Sequence, residues 1–147
     1  VGDGSKRLDL EAYTQQLKIS DQVYFSGVQP FYSLPDSFRD ARIFVMTSQG
    51  EGLPQALIEA FSCGLPAVVP DDADIGEIAI HQVNALLVSQ KTPTDFADAI
   101  VRMLADSTLY ENLRAGALRI RDQRKEEYSA AYQCHLWQHQ LRRICFS

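Results

Sequence analysis

Glu51-Gly52-Leu53-Pro54-Gln55-Ala56-Leu57-Ile58-Glu59-Ala60-Phe61-Ser62-Cys63-Gly64-Leu65-Pro66-Ala67-Val68-Val69 contains a turn, a helix and a strand in that order. Pro54 fits the first helical position, where a missing N–H is no loss, and Gly64 fits the left-handed position just past the end. The spacing therefore predicts a helix from about Pro54 to Cys63 and a strand over Ala67 to Val69. The free N–H groups at the start of that helix, and the positive end of its dipole, point back at the Glu51-Gly52-Leu53 turn. Such an arrangement binds phosphate. Glu51 sits at the mouth and Glu59 lies over a turn deeper.

Outward from this stretch, helix and strand patterns alternate. Leu8, Leu10, Tyr13 and Leu17 recur at near-helical spacing, and Val23-Tyr24-Phe25-Ser26-Gly27 reads as a short strand ending at glycine. A helix over Pro35 to Asp40 leads into Ile43-Phe44-Val45-Met46, an apolar run of the kind found in strands buried on both faces. Downstream, Ile78-Ala79-Ile80 precedes a strand at Ala85-Leu86-Leu87-Val88, and Pro93 opens a helix carrying Phe96, Ile100, Val101 and Leu104. Arg114 to Lys125 and Glu126 to Arg143 read as helical, with Trp137, Leu141 and Ile144 on a narrow apolar stripe. Strands alternating with helices predict an α/β fold, a Rossmann-like doubly wound parallel sheet with a helical C-terminal segment, whose ligand crevice lies at the carboxyl ends of the strands. The loops at Gly2 to Gly4, Gly27 to Pro30, Thr47 to Leu53 and Pro70 to Gly76 each follow an expected strand and open on that edge.

Length and composition bound the function. A chain of 147 residues with 46% hydrophobic content buries one ordinary core, so residues 1–147 are read as a single domain. Val1-Gly2-Asp3-Gly4 reads as the end of a buried strand and the turn after it, which suggests a piece of a longer protein. No stretch approaches the roughly 18 apolar residues of a membrane span, and no apolar signal region opens the chain. A net charge of -5 argues against nucleic acid as a partner. Cys63, Cys134 and Cys145 have neither metal-site nor disulfide-framework spacing, which suits a reducing, cytoplasmic compartment.

On the Glu59 helix, Gln55, Glu59 and Ser62 share one face by the three-and-four rule, while Ala56, Ala60 and Gly64 form a small-residue stripe on which a strand could pack. Glu59 sits in sequence among Leu57, Ile58, Ala60 and Phe61. A desolvated carboxylate without partners would cost several kcal/mol, on the order of the penalties known for buried charges. Vicinal hydroxyls, such as a ribose diol, would satisfy both oxygens, as an acid does in dinucleotide-binding folds. An arginine partner or plain solvent would satisfy them too, and spacing alone does not choose.

The whole pattern from Glu51 to Pro66 closely resembles the E-x7-E signature of retaining glycosyltransferases of family 4, the group 1 family. Gly2-Asp3-Gly4, Val23 to Val28, Leu34, Ala41 to Val45 with Thr47-Ser48, Ile75-Gly76-Glu77 and Asn84 to Val88 match further landmarks of that family in order. The similarity covers about residues 1 to 120. It implies the C-terminal, donor-binding half of a GT-B fold, in a hexosyltransferase that moves a sugar from a nucleotide-sugar such as a UDP- or GDP-sugar to an acceptor glycan or lipid-linked sugar, with anomeric configuration retained.

By that resemblance Glu59 holds the ribose hydroxyls and Glu51, the catalytic-site residue, lies beside the donor sugar. The amides around Gly52 and Leu53 face the sugar, and those of Gln55 and Ala56 take the diphosphate. Val28 borders the base, and Gly2 and Gly4 let the first loop approach the nucleotide. No metal ion or other cofactor is expected. The acceptor, and any peripheral attachment at the inner face of the cytoplasmic membrane, would belong to the missing N-terminal half. Polysaccharide biosynthesis is the implied setting. By the resemblance, the Arg and Lys that neutralise the diphosphate come from a loop upstream of Val1 and are expected to be missing here; between Asp21 and Pro70 the cations are Arg39 and Arg42 alone. Weak nucleotide binding and no turnover are therefore expected of this piece by itself. Ala85 stands where the family usually has glycine.

Other candidates compete. His135 and His139, one helical turn apart, could clamp a metal or face solvent, and Cys134 points to a different face. His81 is either a loop residue near the sugar or an ordinary surface histidine. Cys63 lacks the positive surroundings of a reactive thiol and reads as packing. Arg114, Arg119, Arg121, Arg124 and Lys125 are interleaved with Asp122, Glu126 and Glu127, as on a solvated helix face. Two alternatives to the transferase reading are a nucleotide-sugar epimerase of GT-B build and an inactive regulatory paralogue. A plain dinucleotide site fits less well, because Gly2-Asp3-Gly4 lacks the third glycine of that fingerprint.

Overall fold

The computed structural model describes residues 2–30, 33–48, 54–72, 75–76 and 78–123. The chain divides into two compact units, Val1–Ser37 and Phe38–Ser147.

The first unit is built on α1, Arg7–Gln16, whose start is fixed by the Arg7 N–H donating to the Gly4 carbonyl at 3.0 Å. Arg7 organises the unit: it pairs with Glu11 at 2.8 Å and donates to the Phe25 carbonyl at 3.3 Å. Leu8, Leu10, Tyr13 and Leu17 do lie on or beside a helix, but all four are exposed. The expected strand over Val23 to Gly27 does not form. A strand exists through its ladder, and the only backbone bond reaching this segment among the described residues runs from the Gly2 N–H to the Gly27 carbonyl, at 2.7 Å. α2, Leu34–Asp40, begins one residue ahead of the expected Pro35 and straddles the division between the units.

In the second unit β1 (Phe44–Val45), β2 (Ala67–Pro70) and β3 (Ala85–Val88) form a parallel sheet in the order β1-β2-β3. Phe44 stands opposite Ala67, and Val68 opposite Leu86. β2 and β3 are the apolar, doubly covered strands the sequence implies. β1 is not: it is two residues long, at the edge of the described sheet, and Val45 is 42% exposed. Only the central strand of the three has a neighbour on each side, so only it must be apolar throughout.

α3, Gln55–Ser62, connects β1 to β2. Pro54 lies just outside the helix as its N-cap, with ψ 102°, rather than at the first helical position, and its carbonyl accepts from the Leu57 and Ile58 N–H groups. Gly64 ends the helix at φ +74°, and the Gly64 and Leu65 N–H groups cover the Phe61 and Ala60 carbonyls. α4, Pro93–Ala105, and α5, Ser107–Gln123, follow β3. α5 starts at Ser107 rather than at Arg114, because Asp106 ends α4 in an extended conformation and accepts the Leu109 N–H at 2.9 Å. The expected helix over Glu126 to Arg143, with Trp137, Leu141 and Ile144, lies outside the described residues.

Alternation along the strands sorts the core into two layers. Ala67, Val69 and Ala85 face Leu57, Ile58 and Phe61 of α3, with Ile75, Ile78 and Ala79. Val68, Leu86 and Val88 face Phe96 and Met103 of α4. α5 closes both layers, giving Ala117 to the first and Leu113 to the second. Each fully buried Leu or Val contributes about 1.5–3 kcal/mol. On α4 the buried face is Phe96 and Met103 with Ala99 and Ile100 beside them, while Val101 and Leu104 are exposed. The i, i+3, i+4, i+7 set is thus 96, 99, 100, 103, and Val101 and Leu104 fall outside it.

Candidate functional site

Because the three strands are parallel, the loops after β1, β2 and β3 leave one edge of the sheet, and α3 begins there. Its N-terminus is bare. Pro54 provides no side-chain cap, no acidic residue lies in the first turn, and Gln55 and Ala56 are exposed. The first helical N–H to find an acceptor among the described residues is that of Leu57, at 3.1 Å from the Pro54 carbonyl. Among the described residues the Gln55 and Ala56 N–H groups therefore have no acceptor, and the positive pole of the helix lies behind them.

Glu59 follows Gln55 by one turn on the same face, and its carboxylate makes no hydrogen bond or ion pair among the described residues. It is half-buried, not sealed, so the desolvation argument made from its apolar sequence neighbours is corrected. Leu57, Ile58, Ala60 and Phe61 turn inward, and Glu59 keeps contact with solvent. The small-residue stripe is corrected as well. Ala56 is exposed, and Gly64 packs on α5 rather than on a strand: a Cβ there would stand 2.8 Å from the Leu118 Cδ2.

The neighbouring loops are tied by contacts that no local motif announces. The Ser89 hydroxyl donates to Asp71 at 3.0 Å, and Lys91 pairs with Asp72 at 2.8 Å, each about three-quarters buried. Together they clamp the start of the loop after β2 to the loop after β3. Asn84 is fully buried; its amide donates to the Ile78 carbonyl and accepts the Ile80 N–H, both at 2.7 Å. His81 is exposed, and its Nδ1 accepts the Leu87 N–H at 3.0 Å, so the imidazole is engaged in holding β3. The neutral ring with its proton on Nε2 meets that role.

Of the other sequence-derived site residues, Gly2, Gly4 and Val28 belong to the first unit. Gly2 has φ +120°, and nothing lies within 4 Å of a Cβ built on Gly2 or Gly4. The bond from the Gly2 N–H to the Gly27 carbonyl sets this loop beside the turn leading to Val28, which is 77% exposed. Gln55, Ala56 and Glu59 are brought together on α3 in the second unit. Glu51, Gly52 and Leu53 lie outside the described residues, as do Cys134, His135 and His139. Among the described residues no group of three His, Cys, Asp or Glu side chains is arranged to hold a metal ion. Burial pushes the Cys63 thiol up, with Arg39 opposing and Glu59 reinforcing the shift, in keeping with a packing role.

A parallel sheet layered with helices on both faces defines a Rossmann-like α/β domain, and the solved structures it resembles are of GT-B build. The family described as "Glycosyl transferases group 1" matches residues 1–119, and the chain belongs to that family. It is 33% identical over 120 residues to the lipopolysaccharide core biosynthesis glycosyltransferase LpsD of Rhizobium meliloti, an alignment covering 79% of this chain and 33% of LpsD. It is 30% identical over 118 residues to the D-inositol 3-phosphate glycosyltransferase of Frankia alni, covering 80% of this chain and 29% of that protein. The chain thus spans about a third of the length of these relatives. Sucrose-phosphate synthase from Thermosynechococcus elongatus superposes with a TM-score of 0.80 at 26% identity, over 98% of this chain and 36% of that one. S. aureus TarM, solved with fondaparinux, alpha-GlcNAc-glycerol and UDP, shares the fold with a TM-score of 0.76 at 21% identity, over 92% of this chain and 27% of TarM. No described helix is long and apolar enough to cross a membrane.

Proposed function

We propose that this chain is the donor-binding part of a retaining glycosyltransferase of family 4, acting on a nucleotide-sugar. The observation that carries the reading is the bare start of α3 on the carboxyl edge of the sheet, with the unpaired Glu59 one turn along the same face. A diphosphate accepts the Gln55 and Ala56 N–H groups, and the helix pole is worth about 0.3–2 kcal/mol to it. Glu59 then accepts from the two ribose hydroxyls. Glu51 lies beside the donor sugar, with the amides around Gly52 and Leu53 facing it. Val28 borders the base, and the open backbone at Gly2 and Gly4 lets the first loop come close.

In this reading the chain's residues bind and orient, and the developing charge on the leaving diphosphate is met in part by the two free amides. No metal ion is required. Arg39 and Arg42 do not serve the diphosphate, because Arg42 precedes β1 and Arg39 closes α2, at the opposite edge of the sheet. The acceptor is a glycan or a lipid-linked sugar, as in the assembly chemistry named for LpsD, and it is held elsewhere in the full-length protein, which works in the cytoplasm at the membrane's inner face.

The test is UDP and GDP binding by calorimetry to full-length protein and to its Glu59→Ala variant. Loss of two charge-assisted hydrogen bonds predicts weakening of tenfold or more, about 1.5–3 kcal/mol. Unchanged affinity for both nucleotides would sink the assignment.

A further inference from the structure

An open cavity lies at the amino edge of the sheet, away from Gln55 and Glu59. It has a volume of about 600 Å³ and is bordered by the end of α2, the approach to β1, the turn after α3 and the start of α5. Three guanidinium groups line it, Arg39, Arg42 and Arg114, against two carboxylates, Asp40 and Glu111. On a chain of net charge -5 these arginines are a local concentration of positive groups. The arginines come from two separate stretches of sequence, residues 39–42 and Arg114.

Arg42 and Arg114 are held in a way that leaves donors available. Arg42 lies over the Tyr110 ring, 4.8 Å from its centroid. Stacking uses the face of the guanidinium and leaves its N–H groups, which lie in the plane, for a ligand. Arg114 is linked to Glu111 at 3.7 Å, with both side chains more than half exposed, a loose contact that an oxyanion can displace. The end of α3 borders the cavity with its negative pole, but the Cys63, Gly64 and Leu65 N–H groups already cover the Glu59, Phe61 and Ala60 carbonyls. The bare acceptors that would repel an anion there are therefore mostly taken.

We infer that this amino-edge cavity is a second ligand site, distinct from the proposed donor crevice, which takes a phosphate-bearing anion between Arg42 and Arg114. Two guanidinium forks lining one cavity from different elements suit the several oxygens of a phosphate or diphosphate group, as a single point charge would not. The phosphate can belong to a free anion or to the headgroup of a membrane lipid.

The test uses the 147-residue chain labelled with 15N and titrated with inorganic pyrophosphate, following the arginine Nε–H resonances. Those of Arg42 and Arg114 are expected to move together and to saturate. The double variant Arg42→Gln/Arg114→Gln should bind about tenfold more weakly or worse, and Glu59→Ala should leave this titration as it is. Arg114→Gln alone, which leaves the Arg42 and Tyr110 stack in place, reads the same loss if the double variant does not fold. In a second arm, co-sedimentation with phosphatidic acid vesicles, but not phosphatidylcholine vesicles, that is lost in the same variants assigns the phosphate to a lipid headgroup; pyrophosphate binding without vesicle binding assigns it to a free anion. Absence of both, or pyrophosphate binding that is indifferent to the arginine variants, overturns the proposal.

Discussion

Gly116 shows how a single residue can fix the packing of α5. A Cβ built there would stand 1.7 Å from the Val83 carbonyl oxygen, a backbone atom that cannot swing aside. Gly116→Ala therefore has to push α5 off the turn before β3, and the loss is expected to be at least the about 1–3 kcal/mol of ordinary overpacking, read from urea unfolding. An unchanged midpoint would show that α5 does not pack here. Nothing in the sequence marks this glycine: it sits inside a helical pattern, and its reason lies more than thirty positions away. The Glu51 to Pro66 stretch is the opposite case, since proline, glycine and apolar spacing encode α3 and its Gly64 stop locally. Cys63, one residue earlier, gives a pH prediction. Its thiol titrates above the ordinary range through burial, so the stability tied to its protonated form is full below the unfolded thiol's pKa and is lost as pH rises through the folded one. Alkylation by iodoacetamide, followed by peptide mass mapping, is expected to be slower at Cys63 than for a free thiol at neutral pH and to rise only at a more alkaline pH. Equal rates would contradict the packing role.

Elements were legible where their signals are local and obscure where they depend on partners. The boundaries of β3 and the start of α4 at Pro93 agree with the sequence pattern because caps and turns are encoded within a few residues. The Val23 to Gly27 strand and the full length of β1 were misread, since an apolar, β-branched run describes a segment fit to pair and not the neighbour it needs. The same limit hid Asp72 with Lys91 and Asp71 with Ser89, which join residues 19 and 18 positions apart. At α4 the local signal is testable. Thr92 is the N-cap, its hydroxyl accepting the Asp95 N–H at 3.2 Å and donating to the Asp95 carboxylate, with Pro93 next in line. Thr92→Ala removes one of the few acceptors for the first-turn N–H groups and should cost about 1 kcal/mol, lowering the urea midpoint with an unchanged slope. A midpoint that does not move would mean that the loop after β3, anchored by Lys91, holds the helix start without its cap.

Over the molecule as a whole, charge sets what the donor crevice can do unaided. The chain is acidic, and the cation nearest the described carboxyl-edge loops, Lys91, is already paired with Asp72. Arg39, Arg42 and Arg114 sit around the cavity at the amino edge. A nucleoside diphosphate entering the proposed crevice therefore meets helix amides and a carboxylate for its ribose, and among the described loops after β2 and β3 the one cation, Lys91, is already paired. The helix pole supplies at most about 2 kcal/mol. Affinity of the 147-residue chain for UDP or GDP is accordingly expected on the order of 1 mM, equivalent to about -4 kcal/mol. Thermal melts over a nucleotide series measure this, because a ligand that binds only the folded state raises stability by about 2.7 kcal/mol at a hundredfold excess over its dissociation constant. The melting temperature should hold steady at micromolar nucleotide and climb only in the millimolar range. The climb should persist in Arg42→Gln/Arg114→Gln, where only the donor crevice is left to bind a diphosphate, and should vanish when Glu59→Ala is added to that double variant. A rise that saturates at micromolar nucleotide would mean that the two α3 amides and Glu59 bind a diphosphate without cationic help. The charge argument would then be wrong even though the crevice was correctly placed.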